Sequence, residues 1–171
     1  MMLYVISILV VILGVALDQY TKYLATLHLK DHSVVLIDGV FQLQYLENQG
    51  AAFGLLQNQQ LLFLLVTIVT LVFLTILYVR MPVIKRYIPL RICMLSIAAG
   101  AIGNMIDRIR FQYVVDFFYF ELIDFPIFNV ADIFASVATC VLAVLLLFYY
   151  KDQDFDIVFN SLKFKKRKEQ E

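Results

Sequence analysis

Charge is scarce in this chain. Asp, Glu, Lys and Arg make up 16% of its 171 residues, against about 25% in soluble globular proteins. The two signs balance at 14 each, so the formal net charge is zero. The basic residues form no broad face, which excludes nucleic-acid binding as a main role. Cysteine is nearly absent as well. Cys93 and Cys140 fall in apolar segments and read as small buried groups, not as a disulfide framework or a metal site. No His-Glu-x-x-His zinc motif occurs, no Gly-x-Ser-x-Gly elbow and no phosphate loop. His28 and His32 have no ligand set around them. Ser7, Ser96 and Ser136 lie in apolar segments, whereas both histidines follow the first one, so no Ser-His pair is suggested.

What the chain has in excess is apolar residues, 62% against roughly 45–50% in soluble chains. A single domain of this size cannot hide that much apolar surface from water, and disorder is excluded by the same composition. An integral membrane protein remains. About 20 mainly apolar residues cross the hydrocarbon of a bilayer as a helix, and four segments qualify, at about 2–27, 61–79, 90–106 and 130–150. Arg80, Lys85, Arg86 and Arg91 lie between the second and third. Lys151, Lys163, Lys165, Lys166, Arg167 and Lys168 follow the fourth. The positive-inside rule puts both groups, and therefore both termini, on the cytoplasmic side. The first span lacks a basic n-region and a clear small-x-small cleavage site, so it reads as a retained span.

The loops at about 28–60 and 107–129 then face outward. Residues 33–46 are rich in β-branched and aromatic types around an Asp38-Gly39 turn, which predicts a small hairpin or curved sheet. The aromatic stretch 113–128 is expected to lie along the membrane surface. Residues 151–171 read as a mobile charged tail, separate from a membrane domain at 1–150.

Ionisable residues in spans are expensive and mark candidate sites. Asp18 stands about 22 Å above Leu3 along an ascending helix, with Lys22 one turn later. Asn104, Asp107 and Arg108 close the third span, and Asn129 and Asp132 open the fourth. Asn48 and Asp116 lie in the outer loops. All of these converge on one layer at the outer boundary, whereas a transporter tends to carry such groups near the midplane. Each also has an ordinary role open to it. Asp18 and Lys22 can be a structural i, i+4 pair, Asp107-Arg108 an interface anchor, Asn48 a turn residue and Asp132 an acid favoured by the helix dipole. Asp116, between Val115 and Phe117, is the hardest to explain as solvated surface. Gly100 and Gly103, with Ala99, fit close helix packing.

With other nucleophiles absent, the available chemistry is that of carboxylates and amides. Asp116 and Asp132, brought together, can share one proton. One then acts as base toward a water, and the other donates to a carbonyl oxygen. A proton-coupled transporter and a non-catalytic scaffold are the rival readings of the same acids.

Five blocks narrow the choice: Asp18-Gln19-Tyr20-Thr21-Lys22, Asn48-Gln49-Gly50-Ala51-Ala52-Phe53-Gly54, Gly103-Asn104-Met105-Ile106-Asp107-Arg108, Val114-Val115-Asp116-Phe117 and Phe128-Asn129-Val130-Ala131-Asp132. In order and spacing the chain resembles the bacterial lipoprotein signal peptidases (signal peptidase II), over about residues 2–150. The resemblance implies an all-α integral membrane protein with four transmembrane helices, a small extracytoplasmic β-cradle and a short outer amphipathic helix, the last two fitted to 33–46 and 113–128. It implies an aspartic endopeptidase of the bacterial cytoplasmic membrane that cuts diacylglyceryl-modified prolipoproteins before the lipidated cysteine. Asp116 and Asp132 match the catalytic pair. Asn48, Asn104, Arg108 and Asn129 match polar residues around the site, and Asp18, Lys22 and Asp107 match supporting positions. No metal or cofactor is implied. The expected partners are lipidated substrates and membrane lipids, and the site is expected to be complete in a monomer. One departure is Ile133, where the family commonly has a small or hydroxylated residue. On a helix it is expected to point away from the site.

Overall fold

The computed structural model describes residues 2–50 and 59–162. Four long helices carry the apolar segments: α1 (Met2–His28), α2 (Gln60–Arg80), α3 (Ile88–Phe111) and α4 (Val130–Val144). A 3₁₀ turn at Lys85–Tyr87 leads into α3, and a π-helical turn at Leu145–Tyr149 prolongs α4. All four are long and apolar enough to cross a membrane. Their outward faces carry exposed Leu13, Val69, Ile92 and Val137, as expected of surfaces that meet lipid instead of water.

Helix α3 is the hub, packing against α1, α2 and α4. Small residues permit the approach. A side chain on Gly100 would run into the carbonyl oxygen of Ala131, and one on Gly103 into the carboxylate of Asp18. A Cβ at Gly14 would stand 3.0 Å from that of Ala99. The small-residue run expected to bring helices together does so.

At one end of the bundle Tyr78, Met81, Tyr87, Leu90, Met94 and Tyr150 form a buried cluster. The hydroxyls of Ser7 and Tyr78 are paired beside it. Arg91, counted above among the loop cations, is buried instead. Its guanidinium donates to the carbonyls of Tyr78 (3.1 Å) and Met81 (2.7 Å) and stacks on the Tyr78 ring. It thus satisfies carbonyls that the end of α2 leaves unpaired. The expected mobile tail also needs correction, because Asp152–Leu162 forms a helix, α5, packed on α2. Residues 163–171 lie outside the described residues.

At the opposite end, β1 (Val34–Ile37), β2 (Phe41–Asn48) and β3 (Val114–Tyr119) make an antiparallel sheet in the order β1-β2-β3. Gly39 takes φ 65° in the β1–β2 turn, a conformation suited to glycine. The aromatic stretch begins as a strand of the sheet and is not a separate surface segment. Gln112 ends α3 in the left-handed conformation and turns the chain onto the free edge of β2. There the β-branched and aromatic run Val114–Tyr119 fits a pleated, half-buried surface. Beyond it stands only a 3₁₀ turn at Glu121–Ile123. The short outer helix is therefore not in 113–128; among the described residues none stands in the outer loops, and residues 51–58 lie outside them.

Candidate active site

The polar residues of α1, α3, α4, β2 and β3 meet where the sheet caps the bundle. The innermost group is Lys22. Its ammonium lies 2.9 Å from Asp18 Oδ2, 3.0 Å from Asp107 Oδ2 and 2.8 Å from Asn104 Oδ1, so all three of its donors are used. Lys22, Asp18 and Asp107 are buried, and buried charges persist when they are both paired and hydrogen-bonded. Asp18 Oδ1 accepts the backbone N–H of Ala131 at 2.8 Å. Asp107 accepts that of Val115 at 3.1 Å and the side-chain amide of Gln19 at 2.8 Å.

Asp116 and Asp132 stand one layer further out. Asn104 donates through Nδ2 to Asp132 Oδ1 at 2.8 Å. Asn129 Nδ2 donates to Asn104 Oδ1 at 3.1 Å and to Asp116 Oδ1 at 2.6 Å. Asn48 Nδ2 donates to Asp116 Oδ2 at 2.8 Å. Asn129 also begins α4 through a capping box. Its Oδ1 accepts the Asp132 N–H, and Asp132 Oδ2 accepts the Asn129 N–H, both at 3.0 Å. Two amides, Asn104 and Asn129, therefore bridge the two carboxylates.

Asp116 is only 1% exposed. Burial, and then the charge of Asp132, push its carboxyl up from the ordinary range to about 7, against the opposing amide donors of Asn48 and Asn129. Burial disfavours the charged form, and a nearby like charge does the same.

Both carboxylates line a cleft of about 410 Å³ with Asn48, Asn104, Arg108 and Phe128. The Arg108 guanidinium lies over the Phe63 ring at 4.7 Å. All nine residues singled out in the sequence are thus gathered here, but in two shells. Asp18, Lys22 and Asp107 form the buried inner one. Asn48, Asn104, Arg108, Asp116 and Asp132 line the outer cleft, with Asn129 buried behind them. Asp107 and Arg108 are adjacent yet turn to different shells, because one helical step rotates them by about 100°. Ile133 is corrected. It is 38% exposed and lines the cleft beside Ser136 and Val137, because the cleft wall takes two adjacent rows of the α4 surface. Sequence reasoning missed Gln19 and Phe63. Gln19 could have been found from its place between Asp18 and Lys22. Phe63 has no signal in an apolar span.

A family model described as signal peptidase (SPase) II matches residues 10–148. The chain belongs to the signal peptidase II family. That family is one of aspartic peptidases, and this member is a multi-pass membrane enzyme. The lipoprotein signal peptidase of Clostridioides difficile (strain 630) is 44% identical over 143 residues, covering 83% of this chain and 95% of the relative. That of Caldanaerobacter subterraneus subsp. tengcongensis is 43% identical over 144 residues, covering 83% and 96%. A bacterial membrane enzyme solved by the in meso method at 2.3 Å is 30% identical. It superimposes with a TM-score of 0.71 over 96% of this chain and 94% of the other. The fold described above is thus shared, over nearly all of both chains, with that bacterial membrane enzyme.

Proposed function

We propose that this signal peptidase II removes the signal peptide from diacylglyceryl-modified prolipoproteins, with Asp116 and Asp132 as the catalytic pair. The observation that carries this reading is their joint position on one cleft, linked through Asn104 and Asn129, with the proton affinity of Asp116 raised toward neutrality. Asp116 holds the shared proton, and Asp132 takes a proton from a water as that water attacks the scissile carbonyl carbon. Asp116 gives its proton to the carbonyl oxygen. The resulting diol collapses as the C–N bond breaks. The leaving nitrogen takes the proton from Asp132, and a diol hydroxyl returns one to Asp116. Asn48 and Asn129 hold Asp116 in place, and Arg108 faces the cleft as a partner for the substrate's carbonyl and ester oxygens.

The diacylglyceryl chains keep such a substrate in the bilayer, since each buried CH₂ contributes about 0.8 kcal/mol. A bond next to the lipidated cysteine is then presented at the membrane boundary. This agrees with a site at the junction of spans and sheet. In this reading the enzyme sits in the bacterial cytoplasmic membrane with that junction at the outer face and both termini inside, an orientation the Lys and Arg bias of the loops supports. Residues 1–150 form the peptidase, which works as a monomer, and 151–171 are an addition to it.

The test is a gel-shift cleavage assay in liposomes on a diacylglyceryl-modified prolipoprotein, with wild type, Asp116→Asn and Asp132→Asn. Cleavage by wild type alone, with both variants folded, is the expected result. Cleavage surviving in either variant moves that aspartate to a supporting role. No cleavage by folded wild type removes the reading.

A further inference from the structure

Helices α1, α3 and α4 all supply side chains to the two polar shells. Helix α2 supplies none, yet its first turn touches the site at two points. Gln60 and Phe63 are three residues apart and so share a face of the helix. Gln60 Nε2 donates to the backbone carbonyl of Gln49 at 2.9 Å. Gln49 lies between Asn48 and Gly50, and the Gly50 N–H donates to Asn48 Oδ1 at 2.9 Å. With its oxygen held there, the Asn48 amide turns Nδ2 to Asp116 at 2.8 Å. Gln60 thus clamps, from 11 residues along the chain, the backbone that orients this amide.

Phe63 meets Arg108. The guanidinium carbon lies 4.7 Å from the ring centroid, within reach of a cation–π attraction. Among the described residues the guanidinium makes no ion pair and no side-chain hydrogen bond. An acid could hold the same group, but it would neutralise the charge and occupy the donors. A ring against the guanidinium face leaves the N–H groups, which lie in the plane, free. Helix α2 carries no charge before Arg80, so nothing else on its first turns competes for the cation. Resting on the peptidase reading above, we propose that Gln60 and Phe63 are positioning residues for the cleavage reaction. Gln60 sets Asn48 against Asp116. Phe63 orients Arg108 and leaves its donors to the substrate's carbonyl and ester oxygens. Neither residue touches the reacting atoms.

The test uses the full chain in liposomes, with steady-state kinetics on a diacylglyceryl-modified prolipoprotein. Phe63→Leu and Phe63→Met remove the ring and keep an apolar side chain at a half-buried position. Each is expected to raise KM about three- to thirtyfold, the range of a cation–π contact. The value of kcat stays within about twofold, because the binding lost is uniform. Phe63→Tyr, which keeps a ring, retains the wild-type KM. Gln60→Met keeps the length and loses the donor. The Asn48 amide opposes the rise in Asp116 proton affinity, so loosening it is expected to lower kcat and move the alkaline decline of kcat/KM to higher pH. The other groups facing Asp116 are unchanged in this variant: Asp132 and Asn129 at the start of α4, Lys22 of α1 and Arg108 of α3. A spectroscopic readout accompanies the kinetics. The ring shields protons over its face, so the Arg108 Nε–H resonance, assigned by its loss in Arg108→Lys, moves downfield in both ringless variants. An unchanged KM in both of them, or an unmoved resonance, overturns the role of Phe63, as does an equal loss in Phe63→Tyr. A fall in rate that is uniform across pH in Gln60→Met overturns that of Gln60. Absence of cleavage by folded wild type removes the peptidase reading instead, so the wild-type reaction tells the two failures apart.

Discussion

Asp18 accepts the backbone N–H of Ala131, the residue immediately before Asp132. Asp107 does the same for Val115, the residue immediately before Asp116. Each buried acid of the inner shell therefore grips the chain one step from a cleft carboxylate, and Lys22 joins the two grips.

Lys22→Met leaves those two acids buried without their cation. Breaking a buried ion pair from one side costs about 3–5 kcal/mol. The variant is expected to lose most of its stability and all detectable cleavage. Thermal unfolding in detergent checks the first, and an assay at low temperature, where folded protein persists, checks the second. An unfolding midpoint equal to that of wild type would contradict the role given to Lys22.

Asn104→Leu keeps the ion pairs but deprives Asp132 of an N–H donor and Asn129 of an acceptor. An unsatisfied buried group costs about 1–3 kcal/mol, so kcat is expected to fall roughly ten- to a hundredfold. KM is expected to change little, because Arg108, the proposed partner for the substrate's oxygens, remains on the cleft. Steady-state kinetics over a substrate series separates the two parameters.

The raised proton affinity of Asp116 predicts a pH dependence. Unfolded, its carboxyl titrates near 3.8, and folded near 7. Between these values the folded state binds more protons than the unfolded state, so stability falls as pH rises through that window. The penalty is absent below the lower value and complete above the upper one. Asp116→Asn has no such proton and is expected to show a flatter dependence of unfolding midpoint on pH. Wild-type cleavage declines above about 7 as Asp116 loses its proton. Parallel melts and rate measurements from pH 4 to about 9 check both, and parallel melting curves for the two proteins would refute the assignment.

Gly100→Ala drives a methyl group into the backbone carbonyl of Ala131, which has no side-chain freedom with which to yield. Overpacking of this kind costs about 1–3 kcal/mol. Because Ala131 adjoins Asp132, activity is expected to fall together with stability. Unfolding and cleavage measured on the same preparation provide the check.

The spans were legible because hydrophobic length is set by the bilayer alone. Helix α2 lies within one residue at each end of the reading at 61–79. The polar layer was legible because charge in a span needs a reason. Less could be read where long-range packing decides. Val114–Tyr119 has the composition of a strand, but only the free edge of β2 makes it one. The rotation of Ile133 into the cleft depends on how α4 is docked. Arg91 reads as a loop cation until the end of α2 is seen to need donors. The helix at Asp152–Leu162 hides in a charged tail because its anchor, Arg86, is 68 residues away.

The cap of α4 has a consequence of its own. An ordinary helix start accepts Ser, Thr, Asp or Asn with small differences in stability. Asn129 has to accept from Asp132 while donating to both Asn104 and Asp116, and among those four side chains only an amide offers an acceptor with two donors. Substitutions that would be interchangeable in any other helix are therefore barred here. Fraying of that first turn would break both capping bonds and the two hydrogen bonds that Asn129 donates to Asn104 and Asp116, so the order of the carboxylate pair depends on a single turn of helix.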